Sequence, residues 1–243
     1  LIMDIKISLK RILNLKYTIK KTRKKQNIGD IKISNLSLNL NDKKVLSKLN
    51  LDIKKGEKVM MIGQSGCGKS TLLKILKQYY KTNRINIGNT NINKLDLKNN
   101  ITYVSQNEYL FNDTLYNNIT MYKNISNDYL EKIIDICELR KFIEKNTLGI
   151  NMLIEENGFN LSGGEKQRII LARALANINE YLFIDEGLSE VDISLERKIL
   201  KKIFKEFSTK TIIFVSHRND NLDLFDKLVQ IDKGKVIKKV KGG

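Results

Sequence analysis

Apolar and polar residues alternate from Ile31 onward: Ile31, Ile33, Leu36, Leu38 and Leu40, then Val45, Leu46, Leu49, Leu51 and Ile53. A period of two predicts short strands, partly antiparallel, with turns at Asn41-Asp42 and Lys55-Gly56-Glu57. Later apolar runs are too short for helices and read as strands: Val59-Met60-Met61-Ile62, Ile101-Thr102-Tyr103-Val104-Ser105, Tyr181-Leu182-Phe183-Ile184 and Thr211-Ile212-Ile213-Phe214-Val215. Helical spacing marks Thr71 to Lys77, Leu130 to Cys137, Ile169 to Ala176, and a run after Asp192 to about Phe207. Arg84 to Ile92 reads as a strand and turn, and residues 107–160 as mainly helical with Asn-rich loops. A short helix and a hairpin around Asp232-Lys233-Gly234-Lys235 close the chain.

Residues 1–27 depart from this pattern. Ile5, Ile7, Leu9, Ile12, Leu13, Leu15 and Ile19 alternate with Lys and Arg and end in Lys20-Lys21-Thr22-Arg23-Lys24-Lys25. Part of the run suits a basic amphipathic helix; a membrane-surface role and an ordinary connector both fit it. The first residue is Leu1, which predicts a piece of a longer chain.

The 243 residues suffice for one large domain or two intimate subdomains. Lys and Arg total 44 against 27 Asp and Glu, a formal charge of +17. Such a surface attracts nucleic acid, anionic lipid or nucleotide. With only one dense basic run, charge spread over solvated faces is the simpler account. No apolar stretch reaches the ~18–20 residues of a membrane span. Two cysteines do not make a disulfide scaffold and fit a reducing, cytosolic location; Cys67 reads as a spacer and Cys137 as a small core residue.

The first chemistry lies at Gly63-Gln64-Ser65-Gly66-Cys67-Gly68-Lys69-Ser70-Thr71, between a predicted strand and a predicted helix. The string fits the phosphate-binding loop, and the strand–loop–helix context supports the match. Glycines let the backbone approach an anion, and N–H groups at the helix start then point at phosphates. Lys69 can reach β and γ phosphates, and the Ser70 hydroxyl can ligate Mg²⁺. Asp185 and Glu186 end an apolar strand; one acid there can hold Mg²⁺, and a second can act as general base. Gln106 closes another strand, and His217, the only histidine, follows a third. Strand ends of this kind face the crevice where α/β sheets bind ligands. Leu161-Ser162-Gly163-Gly164-Glu165 opens a helix and makes a second anion-binding terminus.

In order and approximate spacing, these motifs resemble those of the nucleotide-binding domain of ABC transporters, from about residue 31 to 240. The resemblance implies an α/β phosphate-loop NTPase core, mostly parallel, with flanking helices. It adds an antiparallel β subdomain and an inserted helical signature subdomain at about 107–176. The ATPase domain would cover 28–243, and residues 1–27 would be the linker or tail of a membrane domain upstream of Leu1.

The family's mechanism implies ATP and Mg²⁺, and a head-to-tail pair of ATPase domains, an identical copy being the expected partner. Each ATP would lie between one copy's phosphate loop, residues Gly63 to Thr71, and the other's signature, Leu161 to Glu165. Ser70, Gln106 and Asp185 would surround the metal, Glu186 would be the general base, and His217 would contact the γ-phosphate. Asp192 would belong to the loop crossing the dimer. Leu40 stands where the family usually stacks an aromatic on adenine, and Glu165 stands where Gln is commoner.

The loop Tyr109 to Ile119, and Glu155-Glu156-Asn157-Gly158 before the signature, resemble exporters. Glu186 to Asp192 looks most like peptide and bacteriocin exporters. The expected function is therefore ATP hydrolysis driving export at the cytoplasmic face of the membrane, with no nucleic-acid partner. An ABC-type ATPase acting on ribosomes or nucleic acid, and an importer subunit, are the competing readings.

Overall fold

The computed structural model describes residues 29–106 and 108–241; the segment 1–27 and its reading as a linker lie outside them. The chain begins with β1 (Ile31–Leu40) and β2 (Lys43–Ile53), an antiparallel pair. The expectation of short strands is corrected here: the strands have 10 and 11 residues. Asn41 and Asp42 join them with both residues left-handed, at φ 46° and 60°. Such a two-residue turn keeps the native strand twist, so pairing runs up to it. β4 (Ile85–Ile87) pairs with β1, and β5 (Thr90–Asn91) completes this antiparallel sheet.

The central sheet has six strands in the order β12 (Lys235–Lys241), β11 (Lys227–Asp232), β3 (Lys58–Ile62), β10 (Thr211–Val215), β9 (Tyr181–Asp185) and β6 (Ile101–Ser105). All neighbours are parallel except the terminal hairpin. Its central strands β3, β10 and β9 are buried on both faces, as their continuous apolar runs predict. Met60, Val104, Leu182, Ile184, Ile212 and Phe214 face one core, which includes the helices of residues 115–206. Val59, Met61, Tyr181, Phe183, Ile213 and Val215 face the other, shared with the antiparallel sheet and α1 (Lys69–Leu76).

Residues 107–160 are less helical than their pattern suggests. They contain α2 (Leu115–Thr120), α3 (Asn127–Ile136) and the single turn α4 (Arg140–Glu144). A two-stranded ribbon, β7 (Asp113–Thr114) with β8 (Leu153–Ile154), closes the region into a loop. α3 combines an amphipathic stripe with a capped start, where the Ser126 hydroxyl accepts the Tyr129 N–H. Cys137 follows it, fully buried, and burial pushes its thiol pKa up, so it is a core residue without reactivity. Then come α5 (Gly163–Ala176) and α6 (Ile193–Glu206).

Lys58 is a buried cation that ties three segments together. Its ammonium donates to the carbonyls of Gly56, Ser208 and Lys210, each at 2.7 Å. Burial lowers its pKa, partly offset by Asp226. Replacing Lys58 with Met leaves three inward carbonyls unpaired. We expect a loss of about 2–4 kcal/mol of stability, read by urea denaturation, with a cost below the error of that method contradicting the account.

Candidate nucleotide site

Backbone register builds the site. Met61, Val215, Asp185 and Ser105 occupy one row across β3, β10, β9 and β6. Parallel strands end together, so the residues just beyond that row emerge at one edge. They are the phosphate loop after Ile62, His217, Glu186 and Gln106. This is the carboxyl edge, where open α/β sheets bind ligands.

The loop is held tightly. Gly68 caps α1 at φ 110°, and a Cβ there would come 2.7 Å from Leu46 Cδ2. At Gly63, φ is 153° and a Cβ would lie 2.1 Å from the Ile231 carbonyl oxygen. No larger residue fits either position without moving backbone or core. Lys69 is buried, and its ammonium donates to the carbonyls of Gly63 at 2.7 Å and Gln64 at 3.0 Å. Gly234, in the β11–β12 turn, donates to the Cys67 carbonyl at 3.0 Å, while Ser47 donates to Gly234 at 2.9 Å. Cys67, within the loop, is buried.

Both oxygens of the Asp185 carboxylate are engaged. Ser70 Oγ donates to Oδ1 at 3.0 Å, and Tyr103 Oη to Oδ2 at 2.7 Å. Burial, and then the Asp185 bond, pushes the Tyr103 phenol pKa up, so Tyr103 remains a donor. The Lys77 ammonium lies 3.8 Å from the centre of the Tyr103 ring. Next to Asp185, Glu186 holds a left-handed backbone, φ 57°, which costs ~1–3 kcal/mol for a residue with a side chain. Its Oε1 is 2.5 Å from His217 Nε2.

A cavity of about 780 Å³ opens at this edge, lined by Ser65, Ser70, Tyr103, Gln106, Asp185 and Glu186, and also by Lys74, Lys77, Tyr79 and Tyr80. A smaller cavity of about 110 Å³ runs from Ser65 and Gly66 past Gly68, Lys69, Ser70 and Thr71 to Glu186. The size and the inward cation suit a nucleoside triphosphate. Among the described residues, no three His, Cys, Asp or Glu side chains cluster as a metal site.

Several predicted positions lie elsewhere. Leu161 to Glu165 and Asp192 line neither cavity. Ser162 instead caps α5: its Oγ accepts from Glu165 N at 3.3 Å, while Glu165 Oε2 accepts from Ser162 N at 2.9 Å. Asp192 caps α6 without a side-chain bond. Leu40 sits beside the hairpin turn, half-buried, opposite Lys43, and lines neither cavity. Tyr103 and the lining residues Lys74, Lys77, Tyr79 and Tyr80 were not singled out from the sequence. The one available signal is that Tyr103 and Ser105 share a face of their strand.

The sequence pattern of the ABC transporter family matches residues 46–189. The chain belongs to that family. It is 34% identical over 223 residues to the lactococcin-A transport/processing ATP-binding protein of Lactococcus lactis subsp. lactis, a match covering 86% of this chain and 31% of that protein. It is 39% identical over 218 residues to the ATP-dependent lipid A-core flippase of Wigglesworthia glossinidia brevipalpis, covering 86% of this chain and 38% of the relative. The chain thus spans about a third of the length of these relatives. Its fold superimposes on a bacterial Atm1-family ABC exporter with ATP bound, at a TM-score of 0.85 and 26% identity, over 97% of this chain and 44% of that one. The mixed sheets are those of the phosphate-loop NTPase fold, and this ABC domain is an ATP-binding ATPase domain of the exporter type.

A second set of contacts fastens α5 to the loop after Gln106. The Arg173 guanidinium donates to the carbonyls of Tyr109 at 2.7 Å and Asn118 at 2.8 Å, and to Asn118 Oδ1 at 2.8 Å. Arg173→Gln loses most of that fork. We expect faster amide hydrogen exchange across residues 109–120 and about 2 kcal/mol less stability; unchanged exchange there would mean that the loop holds itself.

Proposed function

We propose that this chain hydrolyses ATP in paired sites and thereby drives export through a membrane domain, at the cytoplasmic face of the membrane. The observation that carries the reading is the register row, which brings the phosphate loop, Asp185, Glu186, His217 and Gln106 to one edge of the sheet. Ser65, Ser70, Gln106, Asp185 and Glu186 line one cavity there, and His217 lies behind Glu186. In this reading Gly63 to Thr71 cradle the phosphates, and Lys69 exchanges its loop carbonyls for phosphate oxygens. Glu186 takes a proton from the attacking water, and His217, bonded to Glu186, orients that carboxylate and meets the γ-phosphate.

The Ser70 hydroxyl, the Asp185 carboxylate and the Gln106 amide are all oxygen donors on one cavity, and hard oxygen donors suit Mg²⁺. These residues would hold the ion, which supplies charge neutralisation at the phosphates. Tyr103 keeps Asp185 oriented with its lone pairs toward the cavity.

The signature and Asp192 lie apart from the loop's cavities, so in this reading they serve the ATP of a second copy of the chain. Export through a separate membrane domain is supported by the two loops that resembled exporters. Tyr109 Oη donates to Glu156 Oε1 at 2.7 Å, and Asn157 N donates to the Leu110 carbonyl at 2.8 Å. Around them Tyr109, Phe111, Leu153 and Phe159 are exposed, a surface suited to an apolar partner. Among the described residues no helix is long and apolar enough to cross a membrane. The lactococcin relative makes a peptide the cargo we favour.

Glu186→Gln is expected to lower turnover at least a hundredfold while ATP still binds. Phosphate release and a nucleotide titration check the two halves, and wild-type turnover would remove Glu186 from its role. With Mg-ATP the same variant should pass from monomer to dimer in light scattering. A second test concerns the base. If Leu40 leaves adenine unstacked, Leu40→Tyr tightens ATP by about tenfold, from a stacking gain of ~1–3 kcal/mol; an unchanged Kd would assign the contact to another side chain.

A further inference from the structure

Glu190 lies in the segment between β9 and α6, and its side chain covers the start of the signature helix α5. A Cβ built on Gly163 would fall 1.7 Å from Glu190 Oε2 and 2.6 Å from its Cδ. On Gly164 a Cβ would meet the Glu190 carbonyl oxygen at 3.0 Å. Both glycines of the signature are therefore in contact with one acidic residue of the same chain.

The backbone of that segment is pinned from two sides. Gln167, one turn into α5, accepts from Glu190 N through Oε1 at 2.8 Å and donates from Nε2 to Ser189 Oγ at 3.0 Å. Arg218, next to His217, donates to the Val191 carbonyl at 2.6 Å and to the Ser189 carbonyl. The Glu190 side chain itself is exposed. A second carboxylate, Glu165, lies at the same helix start but is used in the cap, with Ser162 Oγ donating to its Oε2 at 2.7 Å.

The start of α5 offers backbone N–H groups and the positive end of its dipole, which favour one anion and not two in contact. We propose that Glu190 is an internal anion held on the signature glycines, and that it must swing off Gly163 before the γ-phosphate of a partner's ATP can dock there. It thereby sets the ATP concentration at which two copies pair. Because Gln167 and Arg218 hold the backbone, release is a rotation of this one side chain. The inference rests on the paired-site reading above, and Glu190 acts as a positioning residue with no contact to the reacting atoms.

The test compares the full chain carrying Glu186→Gln with the same chain carrying Glu186→Gln and Glu190→Gln. Light scattering over a Mg-ATP titration gives the half-maximal ATP for association. A fluorescent ATP analogue, at protein concentrations where both are monomeric, gives Kd at the chain's own phosphate loop. Removing the Glu190 charge is expected to lower the ATP needed for association about tenfold, with Kd at the phosphate loop unchanged. Glu190→Asp, one methylene short of Gly163, should also lower it, but by less. An equal ATP requirement in the two chains overturns the role of Glu190 and leaves the paired site standing. Failure of both to associate at any ATP concentration overturns the paired site and this inference with it. A parallel shift in Kd and association would show that Glu190 acts on its own phosphate loop, against the proposal.

Discussion

Met61, Val215, Asp185 and Ser105 stand side by side on four parallel strands, and every group around the phosphate loop takes its place from that row. Parallel pairing cannot slip by one residue here. A slip would carry Met60 and Phe214 from one core into the other and strand the carboxylate of Asp185 in apolar surroundings. The burial that stabilises both faces of the sheet is thus what positions the chemistry. Lys58 contributes at the opposite end of β3, where its ammonium binds the carbonyls that the strand and α6 leave inward.

Charges at the site are arranged so that each waits on a replaceable partner. Lys69 rests on its own loop carbonyls, Asp185 on two hydroxyls, and Glu186 on His217. None is left uncompensated, which would be costly for Lys69 and Asp185, both buried. Each partner is also a group that a phosphate, a cation or a water can substitute. The same logic extends to Glu190 on Gly163, where a carboxylate occupies the place proposed for a phosphate.

One helix, α5, links several parts of the site. Its first turn carries the signature glycines, Gln167 holds the segment that follows Glu186, and Arg173 holds the loop that follows Gln106. One helix therefore touches two of the four loops that leave the register row. The exposed aromatic surface at Tyr109, Phe111 and Phe159 borders the same region, and Arg173 of α5 donates to the Tyr109 carbonyl within it.

Much was legible in the sequence because it depends on local pattern. Continuous apolar runs of four or five residues marked the buried strands, and the glycines before Lys69 marked the phosphate loop, since few residue types permit those dihedrals. That Gln106, Asp185, Glu186 and His217 sit at strand ends could be read by counting along each run. What could not be read was which strands are neighbours and in what register, because pairing is decided by the packing of both cores at once. The length of β1 and β2 followed from an Asn-Asp turn whose two left-handed residues only the hairpin reveals, and the ribbon of residues 113–154 had no periodicity to announce it. The Tyr103 bond to Asp185, the Arg173 fork and the placement of Glu190 on Gly163 join residues distant in the chain. Sequence spacing determined which chemistry this protein carries; only tertiary packing decided what that chemistry touches, because side-chain contacts across 27 to 82 positions are fixed by the fold and by nothing local.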